Sequence, residues 1–273
     1  MALPSSIRQP SPTPDQIRTV CFRVTRACNL KCPYCQAPPN GHQLPVAQLK
    51  QALQWLASQG GESIKFTGGE PFVHPNLLDL IDECRSLGME PTVVTNGTLI
   101  TDEAVECFAR NGVRAKLSLH GPKAINDELY NADIFDVSFK NLQKLVAASV
   151  DTSVHSLCYH GSELDKGQWV EFLWQAGVKK VSFMPFIQRG RGAEIGQKWS
   201  LTDEEVAQLQ ADIEQLGDTW DGKIVVRYLD FLEKPYIVFE THGKFVIEYA
   251  SEQMDEILPI TDHMNFKQPQ AIH

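Results

Sequence analysis

Between residues 19 and 186, short β-branched runs alternate with amphipathic helical patterns, and no other feature of this 273-residue chain restricts its fold so tightly. The strand-like runs cover 19–25, 63–67, 92–95, 115–119, 152–158 and 181–186. Between them lie helical faces: Val46, Leu49, Leu53 and Leu56 with a stop at Gly60, then Leu77, Leu80, Ile81 and Cys84. A third opens at Thr101 and closes at Asn111-Gly112, a fourth carries Phe139, Leu142 and Leu145, and a fifth carries Trp169, Phe172 and Leu173. Six β/α units with short connections predict an α/β fold: a parallel sheet curled into a partial (β/α)6 TIM-like barrel. Active groups are then expected on the loops at the carboxyl ends of the strands.

The flanks read differently. Residues 1–18 are polar, hold Pro4, Pro10, Pro12 and Pro14, and lack the apolar core of a signal peptide, which predicts a flexible tail on a cytoplasmic protein. The barrel is expected over 19–195 and a small α+β cap over 196–273. In the cap, Thr202 and Glu205 form a capping box for a helix bearing Val206, Leu209, Ile213 and Leu216. Residues 236–240 and 244–249 alternate across His242-Gly243 as a β-hairpin, and the last stretch has no strong period. No run is long enough to cross a bilayer. A formal net charge of −9 argues against a nucleic-acid backbone as partner, while leaving room for a local basic pocket.

Chemistry concentrates at the strand ends. Cys28, Cys32 and Cys35 are spaced C-x3-C-x2-C after the first strand. Three such thiolates can hold three corners of a four-iron cluster and leave the fourth iron without a protein ligand. A closed zinc site wants four ligands, and no second ligand pair follows; a zinc knuckle in a non-catalytic metal-binding module, or three buried cysteines, are the alternatives. The other four cysteines, Cys21, Cys84, Cys107 and Cys158, are scattered without the look of a disulfide framework, and reduced thiols suit a cytosolic, oxygen-sensitive centre. Cys84 and Cys107 fall on helix faces expected to be core. Gly68-Gly69-Glu70-Pro71 ends the second strand, with glycines that let the backbone approach a ligand and a carboxylate that can accept from an ammonium group.

Further along, Asn96 and Ser118 can bond ribose hydroxyls or a carboxylate, or serve as a turn-forming residue and a satisfied strand serine. Arg189 and Arg191 follow the sixth strand, either against an anionic ligand or in an exposed loop. Cys158 is expected at the barrel mouth on the strand face of Val154 and Ser156, as a hydrogen-atom donor or a core residue. His120 and His155 read as structural.

The cysteine triplet with Tyr34 before its last member, and Gly68-Gly69-Glu70-Pro71 at the end of the next strand, resemble the two signatures of the radical S-adenosylmethionine (SAM) superfamily. That resemblance implies one [4Fe–4S] cluster on Cys28, Cys32 and Cys35, with SAM on the open iron. It implies a Gly68 to Pro71 segment holding the amine of SAM, and Tyr34, Asn96, Ser118, Arg189 and Arg191 near SAM or substrate. The chemistry implied is reductive cleavage of SAM to methionine and a 5′-deoxyadenosyl radical that abstracts hydrogen, with a one-electron donor such as a flavodoxin or ferredoxin.

Many members place an arginine shortly after the Ser118 region; this chain has none between Arg114 and Arg189, so that role is unassigned. The Arg189 to Gly192 turn is similar to one in maturases, and Cys158 would match the hydrogen donor of radical SAM epimerases. Within the superfamily the chain is similar to the maturase, molybdopterin-precursor cyclase and viperin-like group. No cysteine follows Cys158, so the auxiliary clusters of many relatives are not expected. The expected function is hydrogen abstraction from a peptide or small natural-product-like substrate. The alternative is a viperin-like enzyme acting on nucleotides, although its basic triphosphate-binding segment is not recognisable in the sequence.

Overall fold

The computed structural model describes residues 17–229 and 235–258. The expected tail lies outside the described residues as far as Gln16, and so does the chain after Leu258.

Strands β1 (Thr19–Thr25), β2 (Ser63–Gly68), β3 (Glu90–Thr95), β4 (Arg114–Ser118), β5 (Asp151–Cys158), β6 (Lys180–Pro185) and β7 (Val225–Tyr228) lie side by side in chain order, all parallel. Each step to the next strand carries helix on one face of the sheet: α1 (Val46–Ser58), α2 (Leu77–Ser86), α3 (Asp102–Asn111), α4 (Lys123–Tyr130) with α5 (Phe135–Ala147), α6 (Lys166–Gln175), and α7 (Gly192–Ile195) with α8 (Asp203–Thr219). The caps explain several boundaries. Thr101 accepts a hydrogen bond from Ala104 N at the start of α3, which ends at Gly112 in the left-handed region. Thr202 and Glu205 close the expected capping box on α8.

Strand parity separates two faces. Val20, Phe22 and Val24 on β1, Ile64 and Phe66 on β2, and Ala115 and Leu117 on β4 are buried under the helices, against Leu49, Leu53, Leu56, Leu80, Ile81 and Cys84. The intervening residues, Cys21 and Arg23, Lys65 and Thr67, Lys116 and Ser118, His155 and Leu157, face the concave lumen. The apolar core therefore lies between sheet and helices, and the lumen collects charged and polar side chains among apolar ones.

Past α8 the structure departs from the expected cap. The hairpin of β8 (Tyr236–Phe239) and β9 (Phe245–Glu248) forms as expected, but β8 pairs in parallel with β1 and so extends the barrel sheet at one edge. Strand β7, which the sequence reading passed over, extends it at the other. With β10 (Glu256–Ile257), the order is β10-β9-β8-β1-β2-β3-β4-β5-β6-β7, so residue 196 marks no break in the sheet. Of the three residues that mark α6, Trp169 and Leu173 are buried, and Phe172 is 39% exposed and stacks on Trp169. Among the described residues, no helix is long and apolar enough to cross a membrane.

Candidate active site

The segment after β1 carries the three cysteines and is fastened from several sides. Its base is tied by Arg26 N to His42 O (2.9 Å) and by a bridge between Thr25 and Gln43. The Gly68-Gly69 turn closes on it from β2: Gly69 N donates to Thr25 O and Glu70 N to Ala27 O, both at 2.9 Å. A Cβ on Gly69 would stand 2.2 Å from Ala27 O, and one on Gly68 2.2 Å from Thr25 O, so two glycines are required for this approach. The loop after β6 braces the other side. Arg191 donates through its backbone N to Cys35 O (2.9 Å) and through its guanidinium to Cys32 O (3.1 Å). Gly190 there has φ +58, and a Cβ on it would meet Cys35 O at 2.5 Å.

Cys28, Cys32 and Cys35 are free, half-buried thiols on the wall of one cavity of about 400 Å³. Burial pushes the Cys28 thiol up, and burial with the neighbouring Cys35 and Cys28 pushes Cys32 up to about 12. Binding a cation at these sulfurs therefore releases protons.

Around the rim the polar side chains are held by one another. Glu70 is 1% exposed; it accepts from Thr95 Oγ1 (2.7 Å), Asn96 N (2.9 Å) and Phe72 N (3.2 Å). Burial raises its carboxyl to about 7 against the pull of those donors. The carboxylate expected to receive an ammonium group is thus engaged within the fold, and Gly68 and Gly69, which have only backbone to offer, line the cavity beside it. Pro71 is buried at the start of a short 3-10 turn and is not on the cavity wall.

Asn96 is on the wall, and its amide accepts from Thr98 N and Oγ1 and donates to Asn29 Oδ1, so it is both a turn former and a tie to the cysteine loop. Ser118 also lines the cavity; its carbonyl accepts from Tyr130 Oη (2.7 Å). Tyr34 and His120 pack edge to face, with Tyr34 Oη 2.7 Å from His120 Nε2. His120 Nδ1 accepts from Leu157 N, and burial lowers the ring to about 3, so the neutral ring carries its proton on Nε2 and donates to Tyr34. The tyrosine hydroxyl lies against the Cys32 thiol.

Like Pro71 and Arg191, two further expected site residues stand off the cavity wall. Arg189 points away from the cavity into a buried ion cluster, donating to Asp255 Oδ1 (2.9 Å) and Oδ2 (2.5 Å), to Glu248 Oε1 (3.1 Å) and to Tyr249 O. The same Glu248 takes both guanidinium nitrogens of Arg23 at 2.6 and 2.7 Å, and Arg26 pairs with Glu240 at 3.2 Å. These bonds latch the β8–β9 hairpin to β1 and to the cysteine loop. Cys158 shares a face with Val154 and Ser156 as expected, but that face is the outer one: Ser156 accepts from Trp169 Nε1 on α6, and Cys158 is buried beside Lys166, Leu209 and Asp212. It does not line the lumen; the lumen thiol is Cys21. Sequence reading also passed over Lys65, Lys116 and Arg227, which line the same cavity. A lysine at an alternate position inside a β-branched strand was the available signal.

A sequence profile described as the radical SAM superfamily matches residues 22–181. The chain belongs to that superfamily. The family implies a [4Fe–4S] cluster and SAM. Among curated proteins the chain is similar to an AdoMet-dependent heme synthase of Oleidesulfovibrio alaskensis, 30% identical over 212 residues, which covers 75% of this chain and 54% of the relative. An S-adenosylmethionine-dependent nucleotide dehydratase of Lacinutrix mariniflava is 24% identical over 262 residues, covering 87% of this chain and 52% of the relative. The chain spans about half the length of such curated relatives.

Among solved structures, Streptococcus suis SuiB bound to S-adenosylmethionine superposes with a TM-score of 0.74 at 15% identity, over 90% of this chain and 64% of SuiB. SuiB bound to its precursor peptide SuiA gives 0.68 at 16% identity, over 93% and 62%. These likenesses establish the partial TIM-like barrel fold. The donor set of this radical SAM protein fits the implied cluster: three thiols on one braced loop open on one cavity, beside a glycine turn that offers backbone. Among the described residues no three metal-ligating side chains converge on a single ion, and a four-iron cube asks instead for one thiolate on each of three irons.

Proposed function

We propose that this chain cleaves SAM reductively at a single [4Fe–4S] cluster held by Cys28, Cys32 and Cys35, and removes hydrogen from a peptide or small natural-product-like substrate. One observation carries the reading: the three thiols, the Gly68-Gly69 backbone, Asn96 and Ser118 open on the same cavity. When bound, the cluster supplies the electron that breaks the sulfonium bond of SAM.

The chain's own residues position and enclose. The Gly68-Gly69 backbone receives the ammonium group of SAM, and Ser118 and Asn96 take its hydroxyl or carboxylate oxygens. Arg191 fixes the path of the cysteine loop through Cys32 O, and Tyr34, held by His120, shields the Cys32 sulfur from water. The peptide side of the reading is supported by SuiB, whose structure was solved with its precursor peptide. A flavodoxin or ferredoxin in the cytoplasm completes it as the electron donor.

The test is anaerobic reconstitution followed by SAM and dithionite. Roughly four irons with matching sulfide per chain, and 5′-deoxyadenosine as product, are expected. A fully loaded protein that forms no 5′-deoxyadenosine would overturn the proposal.

A further inference from the structure

We infer that the floor of the barrel lumen is a phosphate-binding site, built by Lys65 on β2, Lys116 on β4 and Arg227 on β7, for the phosphoryl group of a small-molecule substrate. The inference rests on the reading above and narrows its substrate class.

All three cations line the cavity that holds the cysteines. They reach it by strand parity: Lys116 precedes Ser118 by two on the same face of β4, about 7 Å deeper along the strand. Register ties Ser118 to His155, His155 to Ser182 and Ser182 to Arg227, so one inward row runs across four strands one inward step above Lys116, and Arg227 enters the lumen from that row. Arg227 is oriented there by Ser182, whose hydroxyl accepts from its Nε at 2.9 Å.

Among the described residues neither lysine has a carboxylate partner. Glu70, on the same wall, is engaged by Thr95, Asn96 and Phe72, and Arg23 is neutralised by Glu248. Burial, with the charges of Lys65 and Arg227, holds the Lys116 ammonium down at about 8. In the same row, His155 Nε2 is buried with no hydrogen-bond partner, in a ring kept neutral by burial and by those three cations.

Gathering like charges around an unpartnered polar atom is unfavourable unless an anion completes the site. SAM does not, because its sulfonium and ammonium against one carboxylate leave it cationic. Three cationic groups approaching from three strands match the three oxygens of a phosphoryl group better than the two of a planar carboxylate.

The experiment is calorimetric titration of cluster-loaded protein with SAM present, using inorganic pyrophosphate and, as the polycarboxylate arm, citrate. Saturable pyrophosphate binding is expected, tighter than citrate. Lys116→Met and Arg227→Met should each weaken it about tenfold or more, and Lys116→Arg should recover most of the loss. Pyrophosphate should also raise the melting temperature of the wild type and leave that of Lys116→Met unmoved. Absence of saturable binding, unchanged affinity in Lys116→Met, or tighter binding of citrate would each overturn the inference. If the same preparation forms 5′-deoxyadenosine without binding pyrophosphate, this inference alone fails; if it forms none, the reading beneath it fails.

Discussion

The rim and the floor of the barrel are built from the same strands by opposite rules. At the rim the groups beside the cysteine loop have protein partners: Glu70 has three donors, Asn96 has Thr98 and Asn29, and Arg191 has Cys32 O. On the floor, Lys65 and Lys116 have no carboxylate among the described residues, and above them His155 Nε2 has no partner. A site satisfied from within is preassembled, and one left with uncompensated charge is completed from outside. On the functions proposed above, cofactor geometry is separated from substrate recognition within a single cavity.

Substitutions at the two levels should part ways. The largest effect is expected at the cysteines. Cys28→Ala, Cys32→Ala or Cys35→Ala should each reduce bound iron from about four per chain to near zero, whereas Lys116→Met should load iron fully. Iron and sulfide analysis decides this, and loss of iron in both sets would erase the distinction. Next is Glu248→Gln, which leaves Arg23 and Arg189 buried without their shared carboxylate. It should cost about 3–5 kcal/mol in urea denaturation, while Lys65→Met should cost little.

A pH titration sharpens the comparison, because His120 holds Tyr34 at the rim and His155 stands beside the lumen cations. Burial is the leading cause holding both near 3, and His155 is lowered further by its cationic neighbours. The unfolded chain takes up protons on them below about 6.5. Stability should therefore fall as pH drops from 6.5 toward 3, by about 1.4 kcal/mol per unit for each histidine. The variant His155→Gln should flatten that slope by about 1.4 kcal/mol per unit, and an unchanged slope would place the titration elsewhere. The smallest effect belongs to Cys158→Ala: about 1 kcal/mol from lost packing, with 5′-deoxyadenosine formation unchanged, since the thiol faces α6 and α8.

Most of the barrel was legible because parity and helical period repeat through six units, and the Thr101 and Thr202 caps punctuate them. Strand β7 escaped because Val225–Tyr228 is four residues long with an arginine among them, and only pairing with β6 makes it a strand. The cysteine triplet and the glycine turn could be read from spacing alone. Which face of a strand looks inward could not: Cys158 was grouped correctly with Val154 and Ser156, but choosing between lumen and helix side takes the tertiary contact with Trp169. Arg189 was misplaced for a similar reason, since its carboxylates lie 59 and 66 residues away in the chain. The lumen cations went unread because a lysine within a strand ordinarily marks a solvated face.

The latch between Arg23 and Glu248 spans 225 residues, and that of Arg26 with Glu240 spans 214. During synthesis, the arginines that flank the start of the cysteine loop leave the ribosome long before the carboxylates that hold them. Strand β1 waits with one edge uncovered until β8 arrives. The cysteine loop is therefore held on its hairpin side only once residues 236–248 have been made, and until then the β1 edge stands unpaired.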